Sequence, residues 1–270
     1  FFYADYITTA SQFAAAYDDT LTSPPQAALY AAVPIAYTWD DHDYGGNDSD
    51  STAPARDQAL SAYENLVPHY PLTDTGAINQ TFSIGRVRII LLDGRSAREP
   101  DTLPDGPNKT MLGTAQLDWF ENELLTSSQN HALVIVTTSV PWISAPIDGG
   151  DDWGGFTTER RTIANFLADN DIDNVMMIAG DAHMLAIDDG TNTDYSDRGG
   201  HGFPLFHAAA LDRPGSFKGG PYSEGAFPGG GQFGVITVTD DGGPILHVTL
   251  AGYNWTGARL IDYNFEVASP

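Results

Sequence analysis

Residues 174–184 read NVMMIAGDAHM. Val175 to Ala179 form an unbroken apolar run that stops at Gly180, directly before Asp181 and His183. A run this short and uniform indicates a strand buried on both faces, as in parallel sheets. Upstream, ALVIVTTSV (132–140) repeats the pattern, and FSIGRVRIILLDGR (82–95) predicts two strands meeting at Gly85, the second buried from Val87 to Leu92. Helical patterns separate them. TAQLDWFENELL (114–125) places Leu117, Phe120 and Leu124 at helical spacing, and TERRTIANFLADN (158–170) does so with Ile163, Phe166 and Leu167. Strands alternating with helices predict an α/β domain with a mixed sheet or two stacked sheets.

The flanks extend this reading. DYITTASQFAAAYDDTL (5–21) predicts a helix that breaks at Pro24 and Pro25. QAALYAAVPIAYTW (26–39) predicts a short helix and then a strand ending at Trp39, and ARDQALSAYENLV (55–67) another helix. Residues 215–231, rich in Gly and Pro, read as a loop. GQFGVITVTDDGGPILHVTLAGYNWTGARLIDYNFEV (231–267) alternates and is cut by DDGG and NWTG, so it predicts an antiparallel meander.

Composition narrows the function. The 270 residues carry 36 acidic against 12 basic side chains, a formal net charge of −24. Nucleic acid is a poor partner for such a chain, because phosphate-backbone binding needs a basic stripe. Metal cations suit it better. There is no cysteine, hence no disulfide framework or thiolate site. No apolar run approaches the ~18 residues of a membrane span, no signal peptide is visible, and the chain begins at Phe1 rather than Met.

The ends of the buried strands carry the chemistry. YTWDDHDYGGNDSD (37–50) crowds Asp40, Asp41, Asp43, Asp48 and Asp50 around His42. LDGRS (92–96) and GDAHM (180–184) end two further strands. Ligands bind at that edge of open α/β sheets. Collecting Asp41, Asp181 and His183 there costs several kcal/mol per uncompensated charge, and a metal ion with oxygen and imidazole ligands removes the cost.

With these stretches in view, the chain resembles the PhoD-type alkaline phosphatases, also called phosphodiesterase/alkaline phosphatase D, of the metallophosphoesterase superfamily. WDDHDYGGND, LDGRSARE, MLGTAQLDWFENEL, DDWGGFTTERR and IAGDAHM occur in the family's order, across essentially the whole chain. The resemblance implies a four-layer α/β/β/α sandwich of two mixed sheets, incomplete at the N-terminus, with residues 1–270 forming the C-terminal portion of one catalytic domain. FFYAD matches the family's GDxxYAD motif from the third position onward, which implies Tyr3 as a metal ligand and leaves the preceding Gly-Asp outside the chain. The resemblance further implies Asp41, Asp181 and His183 as metal ligands and His42 as the phosphate-facing histidine. Ser139 stands where purple acid phosphatases carry a histidine ligand, a departure that suits iron(III) paired with calcium.

The implied reaction is hydrolysis of a phosphate ester, monoester or diester, by a metal-activated water. His42 would stabilise developing charge or protonate the leaving group, or else serve as a histidine bonded to a ligand carboxylate. Arg95 and Arg160 are candidate phosphate contacts, with structural salt bridges as the alternative. Trp153 would line the substrate mouth or pack in the core. Phospholipase D or nucleotide phosphodiesterase activity on the same site, and an inactive metal-binding fragment, are the competing functions. The resemblance also implies a secreted, periplasmic or cell-surface location.

Overall fold

The computed structural model describes residues 2–3, 5–73 and 76–270. Phe1 and Ala4 of the FFYAD stretch lie outside the described residues. The three buried runs form parallel neighbours β2 (Val87–Leu91), β3 (Leu133–Thr138) and β4 (Val175–Ala179) of a seven-stranded mixed sheet. β1 (Gln80–Ile84) joins β2 through the two-residue turn Gly85–Arg86, where Gly85 takes a positive φ of 57°. β3 follows helix α5 (Gly113–Asn130) and β4 follows α6 (Thr157–Asp169).

Three further strands complete the sheet: β5 (Met184–Asp188), β6 (Leu205–His207) and β7 (Gly225–Pro228), in the order β1-β2-β3-β4-β6-β5-β7. β6 runs parallel to β4; β5 pairs antiparallel with both β6 and β7. β7 lies inside the segment expected to be loop throughout. Pro228 is tolerated there because β7 is an edge strand. The C-terminal meander is present as a separate antiparallel sheet of β8 (Gln232–Thr239), β9 (Ile245–Asn254) and β10 (Arg259–Ala268).

Two apolar cores explain the layering. On one face of the large sheet, Ile90, Val134, Val136 and Met177 pack with Phe120 and Leu124 of α5 and Ile163 and Leu167 of α6. On the other face, Leu133, Ile135, Met176 and Leu185 meet Leu246, Val248 and Leu250 of β9 and Ile261 and Val267 of β10. Each such side chain contributes about 1.5–3 kcal/mol of burial. The described residues thus form an α/β/β stack in which the second sheet is antiparallel throughout. Its outer face is only partly covered, with Phe233 and Val235 exposed. Among the described residues no helix is long and apolar enough to cross a membrane.

A third core holds the acidic segment. Helix α1 (Ala10–Thr22) starts later than expected, because Thr9 and Gln12 form a capping box that sets its first turn. Pro24 and Pro25 open α2 (Pro24–Ala32) rather than only ending α1. Phe13 and Tyr17 of α1 and Tyr63 of α4 (Arg56–Leu66) enclose Tyr37, Trp39 and Tyr44. The strand expected before Trp39 does not form; residues 34–40 are irregular. Pro34 offers no donor, and the segment is fastened by single bonds instead: Thr38 Oγ1 donates to the Leu92 carbonyl (2.8 Å) and Trp39 Nε1 to Asp93 (2.9 Å).

Candidate active site

Because β2, β3, β4 and β6 are parallel, their carboxyl ends share one edge, bringing Asp93, Ser139, Asp181 and His207 to the same side of the sheet. Asp93 has a structural task there. It is fully buried and accepts from Trp39, Ile78 N, Arg95 N, Ser96 N and Ser96 Oγ, which clamps the acidic segment to the end of β2.

The loop after β4 is shaped by close approach. A Cβ on Gly180 would sit 2.8 Å from the carbonyl of Ser139, so only glycine lets these strand ends touch. Asp181 follows with a φ of 66°, in the left-handed region that aspartate enters more readily than most residues. Strain of this kind gathers at functional sites. The next ligand candidate, His183, has Nδ1 2.9 Å from the Pro214 carbonyl. A carbonyl only accepts, so Nδ1 carries the proton and Nε2 presents a lone pair. That nitrogen lies 3.4 Å from the Tyr3 hydroxyl.

Tyr3 links this loop to the acidic segment. Its ring packs on His42 at a centroid distance of 4.2 Å, and the Arg213 guanidinium lies 3.5 Å above it. Burial pushes the Tyr3 phenol up; Arg213 opposes the shift, while Asp41 and Asp181 add to it. His42 binds the Asp5 carboxylate through Nδ1, and its Nε2 is 4.0 Å from Asp41. Asp41 opens the short helix α3 (Asp41–Tyr44), and its carboxylate accepts from His42 N (2.7 Å) and Asp48 N (2.9 Å).

The carboxylate oxygens of Asp41, Asp48 and Asp151 lie within 4.8 Å of one another. Behind them stands Arg95, fully buried, bonded to both oxygens of Asp151 (2.7 and 3.0 Å) and to Asp40 (2.8 Å). Arg98 adds a contact to Asp151 (3.0 Å). Burial would raise the Asp151 carboxyl, but Arg95, Arg98 and Lys218 outweigh it and hold Asp151 below its usual range. Asp40 goes the other way: burial pushes it up, Arg95 only partly offsets this, and Asp41, Asp181 and Asp151 add to the rise. Asp181 is also raised, first by burial, against the Lys218 ammonium 2.6 and 2.7 Å from its two oxygens.

Tyr3, Asp41, His42, Asp181 and His183 therefore gather in one place, although only Asp181 and His183 follow a strand of the sheet. The other three expected residues are committed elsewhere. Arg95 is taken up by Asp40 and Asp151. Arg160, buried, donates to the carbonyls of Trp142 and Ser144 and lies 3.7 Å over the Tyr195 ring. Trp153 is 1% exposed in the helix-side core and donates to Thr138 Oγ1 at 3.0 Å. None of the three presents a surface to a substrate. Conversely, Asp151, Asp5, Arg213 and Lys218 join the site without having been singled out, and Asp48, noted as a member of the acidic cluster, joins it without having been named as a ligand. For Asp48 and Asp151 a signal existed: Asp48 closes WDDHDYGGND and Asp151 opens DDWGGFTTERR, two of the stretches that carry the resemblance.

Hard carboxylate oxygens, a phenol and one imidazole nitrogen form a donor set that a hard metal ion accepts, so the residues could hold such an ion. The family model of PhoD-like phosphatases matches residues 3–224. Alkaline phosphatase D of Bacillus subtilis (strain 168) is 27% identical over 187 residues, covering 58% of this chain and 32% of that protein. The solved structure of PhoD superposes with a TM-score of 0.65 at 18% identity, over 98% of this chain and 60% of that one, which speaks for the fold. The chain thus spans about a third of the length of the Bacillus protein and less than two thirds of the PhoD structure. With its strands, its acidic edge and a family match across most of its length, the chain belongs to the PhoD-like phosphatase family.

Proposed function

We propose that the protein hydrolyses phosphate esters with metal ions held at the carboxyl edge of the large sheet. The observation that carries this is the convergence of Asp41, Asp48 and Asp151 within 4.8 Å, beside Asp181 and His183, in a member of a phosphatase family. Asp41, Asp48 and Asp151 would hold a hard ion such as calcium, and Tyr3, His183 and Asp181 a ferric ion. When bound, such ions cancel charge on the phosphoryl oxygens and lower the pKa of a water.

The chain's own residues supply the rest. Arg95 keeps Asp151 ionised and fixed in direction. Asp5 accepts from Nδ1 of His42, which leaves Nε2 to face the reacting group. As the water oxygen bonds to phosphorus and the ester P–O bond breaks, the water's proton would pass to solvent, and His42, when it carries a proton on Nε2 as well as on Nδ1, would protonate or stabilise the departing alkoxide. By the same family reading the enzyme works outside the cytoplasm.

The test uses the full encoded protein with p-nitrophenyl phosphate and bis(p-nitrophenyl) phosphate at alkaline pH. Hydrolysis should disappear with a chelator and return with calcium better than with zinc. Chelator-resistant turnover would overturn the proposal.

A further inference from the structure

The chain has two lysines. Lys109 sits 4.4 Å over the Phe156 ring and donates to the Asp101 carbonyl rather than to a carboxylate of the acidic edge. Lys218 lies inside that edge. Burial lowers its ammonium, but Asp181, Asp151 and Asp40 outweigh this and keep it charged. Its side chain is 44% exposed, against 13% for Asp181, so the contact stands at the mouth of the site.

The backbone carrying Lys218 is pinned. Ser216 N donates to the His183 carbonyl (3.0 Å), His183 N to Ser216 Oγ (3.1 Å), and Gly220 N to the Ile143 carbonyl (2.9 Å). The Tyr222 hydroxyl donates to the Lys218 carbonyl at 3.0 Å. A Cβ on Gly219 would lie 2.1 Å from the Ile143 carbonyl oxygen, so the loop passes where only glycine fits. Arg213, five residues earlier, lies over Tyr3. One fastened loop thus brings two cations to the site.

The Lys218 ammonium takes both oxygens of Asp181, the same oxygens an ion bound there would use. The ammonium and a metal cannot hold them together, so loading the ion must turn Lys218 away. The pinned loop keeps the released ammonium at the mouth, where a substrate's phosphoryl group would arrive. Resting on the phosphoester reading above, we propose that Lys218 is a metal-exchanged phosphate ligand. It holds Asp181 in the metal-free protein, then binds a phosphoryl oxygen, with Arg213 beside it. Two cations favour the dianion of a monoester over the singly charged diester.

The test compares wild type, Lys218→Gln, Lys218→Arg and Arg213→Gln in the full encoded protein. In calorimetric titration with calcium or ferric ion, Lys218→Gln should bind severalfold tighter, because the internal competitor is gone. Its kcat/KM on p-nitrophenyl phosphate should fall roughly 10- to 100-fold, the worth of a charged hydrogen bond, with much less loss on bis(p-nitrophenyl) phosphate. Arg213→Gln should show the same ester bias more weakly, and Lys218→Arg should recover part of the monoester rate. A Lys218→Gln protein that binds metal less tightly, or that loses both esters equally, would show Lys218 to be structural and end the proposal. A wild type that binds metal yet cleaves neither ester removes the phosphoester reading, and this inference with it.

Discussion

Nε2 of His183 faces the hydroxyl of Tyr3 at 3.4 Å, across 180 residues of chain. Because Nδ1 of the same ring is bonded to the Pro214 carbonyl, the phenol and the imidazole lone pair point at a common position. In protein loaded with ferric ion, a tyrosinate there should give a visible charge-transfer band. Tyr3→Phe should abolish the band in an absorption spectrum. Tyr6→Phe, at a side chain 91% exposed, should leave it intact.

His42 is held by Asp5 on one nitrogen and stacked under Tyr3. His42→Ala should keep the metals, as counted by elemental analysis, and lower kcat by about 10²–10⁴ if the ring serves as general acid. Metal loss equal to the activity loss would assign it to holding a ligand instead.

Arg95 faces Asp40 and Asp151 with no exposed surface of its own. Arg95→Met should destabilise the metal-free protein by about 3–5 kcal/mol in urea unfolding, since two part-buried carboxylates lose their cation. Added calcium should recover part of the loss. An unchanged urea midpoint would contradict this account of the acidic edge.

His207 is fully buried at the end of β6, with neither ring nitrogen bonded among the described residues. Burial, then the nearby Lys218 charge, pushes it down to about 3 from an ordinary 6.5. Between those values the unfolded chain binds a proton that the folded chain refuses, so stability rises with pH across the window. The contribution is complete above about pH 6.5 and is lost as pH falls toward 3, by on the order of a few kcal/mol. His207→Gln should flatten that slope in melting curves taken from pH 7 to 4. A parallel slope in both proteins would refute it.

Trp153 packs edge-on against Trp142 at a centroid distance of 5.2 Å. Trp153→Ala should cost about 3–5 kcal/mol of stability while leaving KM on either ester nearly unchanged. A raised KM at unchanged stability would return this residue to the substrate mouth.

Strands β2, β3 and β4 were legible because a strand covered on both faces must be apolar throughout, and that is a local pattern. The meander of β8, β9 and β10 was legible from alternation and its glycine turns. The acidic strand ends were visible too, since polar residues after an apolar run mark where a strand leaves the core. Three-dimensional packing decided the rest. Nothing local separates the buried Arg95 and Arg160 from surface cations, because a guanidinium enters a core only when partners from distant segments meet its donors, here Asp40 with Asp151 and the carbonyls at Trp142 and Ser144. Nor could local pattern show that the run before Trp39 lacks a strand partner, or that Lys218 reaches Asp181 across 37 residues. Burial pattern reports what a segment must hide from water, whereas a charge's role depends on which other charges the fold brings beside it.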